Sequence, residues 1–318
     1  MKVEILRYGN YISTINLSRG GNCIELQHTG YGVSVLRKPD DIGKLDNPYL
    51  YGMPVLFPVN RISGGAFTFE GRTYMFPINE PSTGCHLHGE LHQYEFRLIE
   101  RTDAKLVCAY QADKGHPYLA FPHAFELRME YELSDSGLTH KVRITNYSDT
   151  NMPCFLGFHS TFNVNFAQGG KTGNTRVWVS LSEEYERNMS NYLPTGRKLA
   201  YDAITQSLLE GDFDPLERSI SRHYRAAQGG RMVLYDTERD LSVVYENDEK
   251  YQFRLIYNGN ADGYICLEPQ TCLANCTNAP VNREEAGFDY VRPGEWKEYT
   301  SRIYLAEGDR RKAGGIHS

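Results

Sequence analysis

Residues Cys85 to His92, CHLHGELH, set three histidines and a glutamate within one short run. Such a density of imidazoles suits metal ligation, proton transfer or simple packing. If the run is a strand, His86 and His88, at i and i+2, share a face and can ligate one ion. Two further ionisable residues lie inside apolar runs: His159 in PCFLGFHSTFNV and Glu268 in GYICLEPQTCLANC. A charge buried in such surroundings costs several kcal/mol unless it is paired or used. A histidine and a carboxylate together offer general acid–base chemistry, and His88 and the segment PVNRISGGAF add polar groups beside them.

The metal reading is tested by spacing. A cupin site has HxH followed three or four residues later by Glu, whereas here those positions hold His92 and Gln93, with acids at Glu90 and Glu95. A metalloenzyme centred on His86, His88 and His92 is therefore one expectation, and a hydrogen-bonded, structural His86 at a strand end is its alternative. Cys266, Cys272 and Cys276 cluster without a common zinc spacing.

The elements that must position these residues read as strands. VEILRY, CIELQH, FELRMEYEL, LTHKVRIT, TRVWVSL, LSVVYE and QFRLIY alternate polar and apolar side chains and are rich in β-branched and aromatic residues. AFTFEGRTYMF predicts a hairpin turning at Glu70-Gly71, with further turns at Asp135 to Gly137 and Asp236 to Asp240. Only AITQSLLEG, near residues 203–211, has helical character, which excludes a sheet with crossover helices. The pattern predicts an all-β fold, a large antiparallel β-sandwich or barrel, as a single domain over residues 1–305. The charged, Gly-rich residues 306–318 predict a flexible tail.

Composition narrows the function. A net charge of −6 over 318 residues, with 34 basic residues scattered among 40 acidic ones, argues against nucleic acid or an anionic membrane as partner. No run approaches the roughly 18 apolar residues of a membrane span, and the alternating N-terminus lacks a signal-like apolar core. Seven cysteines without a CxxC pair suit a reducing compartment, so a cytoplasmic chain is expected. A homodimer is left open.

Six segments in order carry a resemblance. NRISGGAFTFEGRTYMFPIN from Asn60 to Asn79, HLHG from His86, HSTFNV from His159, LPTG from Leu193, LEPQ from Leu267 and VRPGE from Val291 resemble the aldose 1-epimerases, or galactose mutarotases. The similarity spans roughly residues 50 to 305. It implies a β-supersandwich, a small-molecule sugar as substrate and no metal or other cofactor. It also implies Glu268 as general base, His159 as general acid, and substrate contacts from His88, Arg61 and the adjoining Asn60.

Anomer exchange asks for such a set on its own grounds. The C1 hydroxyl must lose a proton while the ring oxygen gains one, and the two groups exchange roles on reclosure. One departure from the family stands out. Where its hydroxyl-gripping aspartate is expected, this chain reads Ser221-Arg222-His223-Tyr224. Asp212 or Asp214 from the preceding loop is a candidate substitute; failing that, Arg222 contacts an anionic sugar, phosphorylated or sulfonated, or is simply an exposed arginine in a misaligned segment. The rival to catalysis is a carbohydrate-binding or sensing protein on the same scaffold.

Overall fold

A computed structural model describes residues 2–42, 47–167, 173–227 and 229–311. The alternating runs form two eight-stranded antiparallel sheets with smaller ribbons around them. One sheet runs, in spatial order, Arg97–Arg101, Lys105–Ala112, Phe125–Ser134, Gly137–Asn146, Trp296–Glu307, Leu241–Asn247, Arg231–Asp236 and Thr175–Val179. The other runs Pro194–Leu199, Leu181–Arg187, Ser221–Ala226, Phe253–Tyr257, Tyr264–Gln270, Gly157–Phe158 and Val55–Leu56, with Thr161–Asn163 also paired to Tyr264–Gln270.

Periodicity explains how the sheets meet. Along Phe125–Ser134, Phe125, Leu127, Met129, Tyr131 and Leu133 are buried while the residues between them are partly or fully exposed. The buried faces interleave. His140 lies flat on Tyr131 at 4.4 Å and edge-on to Phe158 at 4.8 Å, and Phe162 meets Tyr245 at 5.5 Å. Each large apolar side chain so buried contributes about 1.5–3 kcal/mol. The strand Tyr264–Gln270 differs, because all seven of its residues are buried. One of its faces joins the core and the other lies beneath a cleft.

Local signals hold as well. Arg72–Met75 folds back on Ala66–Phe69 through Glu70 and Gly71, both at positive φ. The helix Ala203–Glu210 starts where Asp202 accepts the backbone N–H groups of Ile204 and Thr205, each at 3.0 Å. It ends at Gly211, at φ 84. Among the described residues no helix is long and apolar enough to cross a membrane. The last strand continues to Glu307, and Arg311 donates to the Gly211 carbonyl oxygen. The expected loose tail is therefore held at least that far, and its remainder, 312–318, lies outside the described residues.

Candidate active site

The His159–Glu268 pair is set by register. On either side of His159, Gly157 faces Gln270 and Thr161 faces Cys266. Counting inward from both ends puts His159 opposite Glu268, and His159 Nε2 lies 3.1 Å from Glu268 Oε1. Glu268 is fully buried and His159 nearly so. Burial raises the Glu268 carboxyl to about 8, against the lowering effect of the Gln270 amide and of Arg187 and Arg61. Burial pushes the His159 imidazole down to about 3.

A two-stranded ribbon supplies the opposite wall. Arg61–Ser63 pairs with Cys85–Leu87, Arg61 facing Leu87, which brings Asn60 beside His88. Asn60 and His88 both adopt left-handed backbone, at φ 61 and 64. At the next residue, Gly89, a Cβ would come within 1.9 Å of the Phe57 carbonyl oxygen, so glycine is required. The Asn60 backbone N–H donates to His88 Nδ1 at 3.3 Å. The ring proton of neutral His88 therefore sits on Nε2. Burial, and then the neighbouring His159 and Arg61, hold His88 well below the usual imidazole range, which favours its neutral form.

The backbone turn at His88 also ends strand alternation, so His86 and His88 do not share a face as their spacing predicts. His86 stacks on Phe76 at 4.9 Å and donates Nδ1–H to the Pro77 carbonyl over 2.8 Å. His92 is buried with its ring 4.7 Å from that of Tyr49. The three imidazoles of CHLHGELH are not brought together as ligands. Among the described residues, the group whose ligand atoms all lie within 4.8 Å of one another is His159, Cys266 and Glu268. It contains the His159–Glu268 pair itself, and burial holds the Cys266 thiol well above its usual range.

Two residues passed over in the sequence reading orient the others. Arg61 makes a bidentate pair with Glu80, both bonds 2.7 Å. Against burial, which would raise it, Arg61 and Thr83 hold the Glu80 carboxyl below the usual range. Gln270 Nε2 donates to Glu268 Oε2 at 3.1 Å and Gln270 Oε1 accepts from Asn60 Nδ2 at 3.0 Å. The Asn60 side chain, whose oxygen also accepts the Arg61 backbone N–H, is thus committed to protein partners. It braces Glu268 through Gln270, and a direct grip on substrate is not its first role.

Above the pair opens a cleft of about 630 Å³, lined by Tyr49, Arg61, His88, His159, Tyr257 and Glu268, and by Arg187 with Ser221 on the far side. Arg222 is not in it. Its guanidinium binds Asp202 at 2.7 Å and Glu184 at 3.1 Å. The reason is strand alternation: Ser221 lines the cleft, so the next side chain leaves by the opposite face. Nor do the candidate substitutes reach the cleft. Asp214 pairs with Arg176 at 2.8 Å, and Asp212 lies 3.4 Å from Arg311.

Comparison with known proteins concerns the family and the fold. The family model described as aldose 1-epimerase matches residues 5–304. The Escherichia coli K12 protein YphB is 23% identical over 252 residues, 76% of this chain and 79% of its own length. A galactose mutarotase-like protein from Clostridium acetobutylicum superimposes with a TM-score of 0.89 at 29% identity, covering 96% of this chain and 98% of that one. Galactose 1-epimerase from Lactobacillus acidophilus gives 0.69 at 13% identity, covering 97% and 99%, a likeness of fold alone. The sandwich is the galactose mutarotase-like β-supersandwich, and the chain belongs to the aldose 1-epimerase family.

Proposed function

We propose that this protein is a mutarotase that interconverts the α and β anomers of a hexose or close derivative. The observation that carries the reading is the 3.1 Å approach of His159 and Glu268 at the floor of a cleft large enough for a monosaccharide. Glu268, as carboxylate, takes the proton of the C1 hydroxyl while imidazolium His159 gives one to the ring oxygen. The bond from C1 to the ring oxygen breaks and C1 becomes a carbonyl. After rotation about the C1–C2 bond, His159 recovers its proton from the freed hydroxyl as that oxygen attacks C1. Glu268 returns a proton to O1, so no net proton is consumed.

Each transfer of this kind contributes about 10²–10⁴-fold. His88 Nε2–H and Arg61 donate to the ring oxygen and nearby hydroxyls, where charge shifts as the ring opens. Tyr49 and Tyr257 offer rings to the apolar face of the sugar. Seven free, buried thiols support a reducing compartment such as the cytoplasm.

The test is anomer exchange followed by NMR against a buffer blank, with wild type beside Glu268→Gln and His159→Ala. Acceleration by wild type alone supports the assignment. Exchange no faster than the blank for every sugar overturns it and favours a carbohydrate-binding protein.

A further inference from the structure

The cleft contains two guanidinium groups in different electrostatic states. Arg61 is neutralised by its fork to Glu80. Arg187, at the end of the strand Leu181–Arg187, has no carboxylate within ion-pair reach among the described residues. Among the described residues, Arg187 donates from Nη2, to the Ser221 carbonyl and, at 3.0 Å, to the Ser221 hydroxyl. Among the described residues, Nε and Nη1 find no protein acceptor. Arg187 and Arg61 also flank one ring, with guanidinium carbons 5.7 Å and 4.8 Å from the Tyr192 centroid.

A half-buried cation without a counter-ion is costly. Burial, and then the like charge of Arg61, push Arg187 down to about 10, with Glu268, Tyr192 and Glu184 acting the other way. Glu268 makes no ion pair with it: the contacts of that carboxylate go to His159 and Gln270.

Placement gives the vacant donors a meaning. Arg187 bonds Ser221, Ser221 faces Tyr257, and Tyr257 faces Cys266, two residues before Glu268 on the same strand. Arg187 thus enters from a strand three places away from the one bearing the general base, a lateral distance of about 14 Å that its long side chain partly closes. Arg187 lines the same cleft as Glu268 and His159, in place to meet substituents remote from the C1 of a sugar held on that pair. A guanidinium has donors only, in a fork that matches a planar or tetrahedral oxyanion. The carboxylates that might instead have accepted sugar hydroxyls, Asp212 and Asp214, are bound elsewhere.

We propose that Arg187 is a specificity-determining residue that receives an oxyanion on the sugar, so that the substrate class is an acidic monosaccharide bearing a carboxylate, sulfonate or phosphate remote from C1. This rests on the mutarotase reading for turnover but not for binding. It is tested by two measurements. Anomer exchange is measured for glucose, galactose, glucuronate and the 6-phosphate and 6-sulfonate of glucose, with wild type, Arg187→Met and Arg187→Lys. Affinity for the same sugars is measured by titration calorimetry on Glu268→Gln, alone and combined with Arg187→Met.

The expected result is that at least one acidic sugar exceeds the neutral hexoses in kcat/KM. Arg187→Met should cut that ratio by about 10- to 100-fold, the range for hydrogen bonds to a charged group. Arg187→Lys should restore part of it, and added salt should weaken it. The proposal is overturned if neutral hexoses are preferred. It is equally overturned if Arg187→Met alters all sugars alike and shifts only the pH profile, which is the signature of a residue that merely tunes Glu268. Should no sugar be turned over, tighter binding of an acidic sugar that depends on Arg187 sustains the inference while the mutarotase reading fails, and equal binding ends both.

Discussion

His159 Nε2 and Glu268 Oε1 stand 3.1 Å apart on facing segments of one sheet, and burial moves their proton affinities in opposite directions. At that separation their protons are counted for the pair. Across the range between their separate values, the pair holds a single proton. That is the count the mechanism needs, since carboxylate with imidazolium is a tautomer of carboxylic acid with neutral imidazole.

The pH dependence follows directly. As pH rises through about 8, the pair loses its one proton and no acid remains. As pH falls toward about 3, it gains a second and no base remains. A bell-shaped kcat/KM with a broad plateau between these limbs is expected, measured by anomer exchange with the buffer rate subtracted at each pH. A profile still climbing at pH 9 contradicts the assignment.

Stability should move against activity in Glu268→Gln. The folded-state value of Glu268 lies above that of the unfolded chain, about 4.3. Its favourable contribution is therefore complete below that value and is lost as pH rises toward about 8. The variant should match wild type near pH 4 and gain on it by up to about 1.4 kcal/mol per pH unit until about pH 8. Urea melts at pH 4, 6 and 8 would detect this, and a constant difference across that range would refute it.

Gln270→Ala removes the donor that favours ionised Glu268 and strands the Asn60 amide. Turnover at pH 7 should fall about 10- to 100-fold, and the basic limb should move upward. A simple packing role predicts lower stability with the limb unmoved, so the pH profile separates the two.

Arg222→Met should cost about 1–3 kcal/mol of stability, because the buried Glu184 carboxylate loses a charged partner and keeps only the Thr205 hydroxyl. Relative rates among sugars should not change. A selective effect on acidic sugars would return Arg222 to the cleft, against the contacts it makes with Asp202 and Glu184.

Much of this was legible in the chain, and the misses share a cause. Strands such as Phe125–Ser134 announce themselves through period-two burial, and Asp202 and Gly211 bound the helix by local chemistry. His159 and Glu268 stand out as ionisable residues in apolar surroundings. Cleft membership on a sheet, by contrast, depends on which strands lie side by side. Arg187 and Ser221 are far apart in sequence but adjacent in space, and nothing near Arg187 marks it. Arg222 misleads because one residue of offset reverses the face. Glu80 and Gln270 act by holding other side chains, a role that leaves no pattern in composition.

The brace from Asn60 to Gln270 joins residues 210 positions apart. The proposed centre is therefore incomplete until the ribbon that follows Asn60 has docked onto the strand Tyr264–Gln270. Pairings of such long separation form slowly. Regain of the proposed anomer exchange after dilution from denaturant should lag behind the return of strand signal in far-ultraviolet circular dichroism, which would make that exchange a clock for the last closure in folding.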